Sequence, residues 1–240
     1  MGTEEILTTA TPYSEFNISK PVEDITQWNE YYAGLFIARY LFPMVIATGT
    51  IGNVLSFIVL VRRRMRDTSV YFYLAVLAFA DNGVLYLSAF KTWIRVVSGF
   101  ELLHMSNIGC KLIMFLFLVS LHMSAWLIVL MTVDRFVVIW FPFKASVMCS
   151  GRRARIATVS LLIILMLYNA HVFWTVALRD YVGAYSCSPS QDDFFMTTIY
   201  PYMKLASYSI LPFVIVLVLN IAITVRLWQN RRLVGRDPES

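Results

Sequence analysis

Residues 108–142 read IGCKLIMFLFLVSLHMSAWLIVLMTVDRFVVIWFP, and this stretch decides the fold. Between Lys111 and Asp134 lie 22 residues without a formal charge. As a helix they extend about 33 Å, enough to cross the hydrocarbon core of a bilayer. Charge resumes at Asp134-Arg135, inside the apolar context of Met131, Val133, Phe136, Val137 and Val138. Cys110 stands just before the opposite end, so one helix carries a thiol at one membrane face and an acid–base pair at the other.

The composition agrees with a membrane protein. Hydrophobic residues make up 58% of the 240 and charged residues 15%, against roughly 25% charged in a soluble domain. Such a chain cannot cover a water-facing surface. The net charge of +5 does not indicate nucleic-acid binding, because the basic residues cluster at span ends. Arg62, Arg63, Arg64 and Arg66 form one cluster, Lys144, Arg152, Arg153 and Arg155 a second, and Arg226, Arg231, Arg232 and Arg236 a third. The positive-inside rule places all three in the cytoplasm. Residues 1–32 hold six acids against Lys20 alone and belong outside. No cleavable leader is visible, so the first span is expected to serve as the insertion signal.

Five apolar spans follow, approximately 33–61, 69–95, 107–140, 153–177 and 199–229, with the N-terminus outside and the C-terminus inside. The tail 1–32 contains Asn17-Ile18-Ser19, a glycosylation acceptor if extracellular. Residues 231–240 are polar, a cytoplasmic tail or the start of a further inner loop. Asn53 lies within span one. Asp81 lies near the centre of span two, where a carboxylate costs at least about 2.5–3.5 kcal/mol unless it finds partners, water or a cation. Span five holds Pro212 in its interior, which removes a backbone donor and kinks the helix. Cys110 and Cys187 both fall on the oxidising side and Cys149 on the reducing side, so Cys110–Cys187 is the one compatible disulfide; two free thiols are the alternative. Cys149 reads as a reduced cytosolic thiol or a lipidation site.

These features together resemble the first five transmembrane helices of a rhodopsin-like (class A) G-protein-coupled receptor. Gly52-Asn53-Val54 is similar to the family's helix-one motif and Leu77-Ala78-Phe79-Ala80-Asp81 to its Leu-Ala-x-x-Asp of helix two. Cys110 and Cys187 stand where the family has its disulfide, Asp134-Arg135-Phe136 where it has Asp-Arg-Tyr, and Pro212 where it has the helix-five proline. The order is right over about residues 33–230. The resemblance implies an all-α bundle, a plasma-membrane location and a heterotrimeric G protein as inner partner, with Asp134, Arg135 and Phe136 as the coupling and ionic-switch residues. It also implies an allosteric sodium ion near Asp81, Ser124 and Asn53, and no organic cofactor. Phe117 replaces the aspartate of amine receptors, which disfavours a cationic amine. Phe117, His122, Asp192 and Asp193 suit a pocket for a peptide with basic or aromatic groups, in the manner of neuropeptide receptors.

The chain departs from the family in four places. Phe136 replaces tyrosine; no tryptophan occurs from Ile156 to Phe173, Trp174 being too late; and Asn220 stands eight residues after Pro212, where many members have tyrosine. The fourth is length, because the resemblance implies seven helices and five are present. The expectation is an incomplete seven-helix bundle, a fragment lacking helices six and seven. A non-signalling product that retains full-length receptor is the alternative. An intramembrane enzyme is disfavoured, since His104, His122 and His171 are dispersed and no H-E-x-x-H or G-x-S-x-G motif accompanies them.

Overall fold

The computed structural model describes residues 29–62, 68–181, 184–189 and 194–234. Among the described residues, five helices are long and apolar enough to cross a membrane: helix one (Tyr32–Leu60), helix two (Ser69–Ser98), helix three (Asn107–Trp140), helix four (Gly151–Thr175) and helix five (Phe195–Arg231). Each is a run of apolar residues with almost no charge, and a spanning segment must satisfy every backbone group within itself, which only a helix does. The glycosylation acceptor Asn17 and the acids Asp192 and Asp193 lie outside the described residues.

Helix three is the axis of the bundle. It touches helices two, four and five and an antiparallel hairpin, while helix one packs on helix two. Its first turn is fixed by Ser106, whose Oγ accepts the Gly109 amide at 2.9 Å, satisfying one of the donors every helix start leaves free. One cluster of buried side chains forms around Tyr73, Ala80, Met123, Leu127, Ala154 and Leu165, joining helices two, three and four. A second, around Cys110, Phe115, Leu118, Val119, Val172 and Val176, lies toward the Cys110 end.

Helix ends depart from the sequence expectation in both directions. Helix two continues to Ser98 and stops at Gly99, whose φ of 70° and amide bond to the Arg95 carbonyl make a left-handed cap. Helix four starts at Gly151 and yields at Val176 to extended backbone. From there β1 (Val176–Tyr181) pairs with β2 (Ala184–Pro189), Leu178 standing opposite Cys187. The fold is mostly helical, as expected of an all-α bundle, with this two-stranded element in the connection after helix four. Near Pro212, the deviation takes the form of a wider turn. Residues Ala206–Ile210 are π-helical, and the α-helix resumes at Leu211. Proline cannot donate to the carbonyl four residues earlier, and a π-turn is one way a helix absorbs that loss.

Candidate functional site

At the Cys110 end, Cys110 and Cys187 form a disulfide with Cα atoms 5.8 Å apart. Two further bonds fasten the same region to the first turns of helix three. The Leu178 amide donates to Asn107 Oδ1 at 3.1 Å, and Lys111 Nζ donates to the Phe173 carbonyl at 2.7 Å. Phe117, half-buried, packs against the cluster that includes Cys187 and Leu178. The hairpin is thus pinned across the top of helix three. Among the described residues expected in a ligand pocket, Phe117 is the one placed beneath it.

His122 is not. It is fully buried, with Nδ1 2.8 Å from the Leu118 carbonyl and Nε2 2.9 Å from Ser207 Oγ on helix five. Tyr168 and Tyr208 approach its ring edge-on. Trp126, one turn further along, donates Nε1 to the Ser207 carbonyl at 3.0 Å. The physical reason for this arrangement is local. In a π-turn the Ser207 carbonyl looks for a donor five residues on, and that residue is Pro212, which has none. The indole supplies it. His122 and Trp126 therefore clasp the irregular turn of helix five. Ser207 and Trp126 carried no sequence signal beyond their hydrogen-bonding groups.

At mid-membrane, Ser124 Oγ donates to Asp81 Oδ1 at 2.6 Å. Asn53, Asp81 and Ser124 line one cavity of about 310 Å3, together with Gly49 and Ser88. Asn53 Nδ2 donates a long bond to Asn82 Oδ1 at 3.4 Å, and Asn82 belongs to no motif legible in the sequence. One carboxylate oxygen, hydroxyls and an amide converge here. Oxygen-rich sets of this kind suit hard cations.

At the far end of helix three the geometry again differs from expectation. Asp134 is buried and its Oδ2 accepts from Ser69 Oγ at 2.9 Å, while Arg135 is exposed and makes no ion pair with it. Adjacent residues on a helix point about 100° apart and do not face one another, so sequence adjacency was a poor guide to pairing. Cys149 Sγ approaches the Asp134 carbonyl at 3.6 Å. Burial first, and then the Asp134 carboxylate, push the Cys149 thiol up to about 11. Phe136 stacks on Trp140, their centroids 5.5 Å apart, and the Arg226 guanidinium of helix five lies 5.3 Å above the Trp140 ring. Thr68, Ser69, Asp134, Arg135 and Cys149 line a cavity of about 390 Å3 at this end.

Comparison with known proteins follows the same outline. The model of the seven-transmembrane receptor (rhodopsin family) matches residues 52–239, and the chain belongs to that family. Relatives include an FMRFamide peptide receptor of Caenorhabditis elegans, 30% identical over 133 residues, covering 52% of this chain and 30% of its own length. The thyrotropin-releasing hormone receptor of Gallus gallus is 28% identical, covering 47% of this chain and 28% of the receptor. The substance-K receptor of Canis lupus familiaris is 25% identical, covering 96% and 59%. The chain thus spans less than two thirds of the length of these relatives. The family and its five membrane-length helices make it a multi-pass plasma-membrane protein of the receptor class, not an enzyme.

Proposed function

We propose that the protein carrying this chain is a receptor that binds an extracellular peptide and passes its occupancy to a heterotrimeric G protein. The observation that carries this reading is helix three itself. One rigid helix is fastened at one end by the Cys110–Cys187 bond and ends, 34 residues long, in Asp134-Arg135. In this reading the disulfide end faces the outside, as the charge asymmetry of the sequence requires.

A peptide is favoured over a small amine for two reasons. Phe117 offers an apolar ring where an ammonium group would need a carboxylate, and peptide receptors recur among the relatives. Asp192 and Asp193 belong to the same acidic stretch as Asp180 and would complement a basic peptide. At the other end, the exposed Arg135 is free to meet the G protein, and release of Asp134 from Ser69 would be part of the switch. The oxygen set of Asp81, Ser124 and Asn53 fits a sodium ion, which would supply a positive charge to the half-buried carboxylate.

The test is direct. Cells expressing the receptor are challenged with amidated Phe-rich peptides, thyrotropin-releasing hormone, tachykinins and biogenic amines, and G-protein dissociation is recorded. A response to one peptide class that disappears in Arg135→Ala, with surface amount unchanged, is the expected result. A response to amines alone would sink the reading.

A further inference from the structure

A cavity of about 230 Å3 opens between helices two, three and four, on the side of helix two away from the Asn53–Asp81 cavity. Its floor is built from Ala80, Phe115, Val119 and Met123, each less than a tenth exposed. Its rim is Phe79, Leu116, Leu162 and Met166, and Phe79 is 73% exposed. Ser120 provides the one polar side chain of the lining. The space has a sequence origin. Helix four carries no tryptophan between Ile156 and Phe173, and aliphatic Leu162 and Met166 face the gap that a larger ring on that helix would reduce.

We propose that this cavity binds the acyl chain of a membrane phospholipid. Three arguments select that occupant. The lining residues of helix three, 115–123, lie about 12–24 Å along it from Asn107, the depth of the hydrocarbon core. Water has too few partners there, since an ordered water needs two to four polar groups and the wall offers one hydroxyl. Size decides between hydrocarbons: at about 30 Å3 per water-sized group the space holds about seven or eight of them. That is a stretch of flexible chain, and less than a fused sterol nucleus. A chain seated there restores the dispersion contacts that the floor lacks and ties helix two to helix four.

The experiment uses the whole chain in phosphatidylcholine nanodiscs, with a phosphatidylcholine bearing a diazirine midway along one acyl chain. After irradiation, adducts are mapped by mass spectrometry. Adducts on Phe79, Leu116 and Met166 should exceed those on Ile51 and Leu55 of helix one, two exposed apolar residues outside the cavity. Leu162→Trp, which fills the cavity, should lower rim labelling about fivefold, a difference in occupancy of about 1 kcal/mol. Ile163→Trp, the same indole on the exposed side of helix four, should leave it unchanged. Retention of the Cys110–Cys187 bond checks folding, and Met166→Phe replaces Leu162→Trp if that variant misfolds. Equal labelling of rim and helix one, or no loss in the filling variants, overturns the proposal. Preferential rim labelling by a sterol diazirine overturns it in favour of a sterol.

Discussion

Ser69 and Asp134 form a buried contact at the Asp134 end of helix three. Ser69 is 2% exposed and its hydroxyl is a donor to a carboxylate that is itself 8% exposed. Ser69→Ala removes the donor and leaves a buried acceptor behind, which costs about 1–3 kcal/mol. The expected readout is a lower midpoint of thermal unfolding in detergent, with Asp134→Asn smaller in effect because an amide can still accept. Cys149 beside it gives a pH test. Its thiol is raised from an ordinary value near 9 to about 11. Below about pH 9 the folded and unfolded thiols are both protonated and contribute no pH dependence. From 9 to 11 the unfolded thiol ionises while the folded one keeps its proton, so stability falls as pH rises through that window. The rate of alkylation by iodoacetamide should climb with a midpoint near 11 in the folded chain and near 9 after denaturation. A folded midpoint near 9 would mean that Asp134 and the surrounding packing do not shield the thiol.

Between elements, two contacts set how helix three meets its neighbours. A Cβ on Gly83 of helix two would lie 2.6 Å from Ser120 Oγ, so glycine there permits the close approach of helices two and three. Gly83→Ala should destabilise by about 1–3 kcal/mol through overpacking, and Ser120→Gly in the same chain should recover most of the loss. If the double variant is no more stable than Gly83→Ala alone, the clash is not the cause. The clasp on helix five supplies the second test. His122 and Trp126 bind the hydroxyl and the carbonyl of the same Ser207. Trp126→Phe leaves that carbonyl without its donor, and in Pro212→Ala the turn gains an amide at position 212 that can replace the indole. The cost of Trp126→Phe should therefore shrink in the Pro212→Ala background, a coupling of about 0.5–1.5 kcal/mol between residues on different helices.

For the whole molecule, the disulfide is the constraint that joins distant parts of the chain, 77 residues apart. In the entropic account a loop of that size is worth about 4–5 kcal/mol, and here it also holds the hairpin over Phe117. Cys110→Ser and Cys187→Ser should lower the amount of chain reaching the cell surface to similar extents. The double variant should be no worse than either single one, as for two ends of one bond. Surface biotinylation measures this, and additive losses would show that the thiols act separately.

The spans, their number and the family motifs were legible in the chain because each rests on a local property: unbroken apolar length, a carboxylate at bilayer depth, a proline in a helix. Asp81 and Ser124 could be matched because the resemblance to the family sets a helix-three serine at the depth of the helix-two aspartate. Partner choice was not legible in this way, since it depends on the angle at which one helix faces another. Asp134 turned to Ser69 and not to adjacent Arg135, His122 turned to Ser207 on helix five, and Trp126 met a carbonyl that became available only because Pro212 and a π-turn coincide. The hairpin after helix four likewise arises from strand pairing and from anchors on helix three that no single segment encodes. Hydrophobic length is a one-dimensional quantity and can be read along the chain. The direction in which a side chain finds its partner is set only when the helices pack.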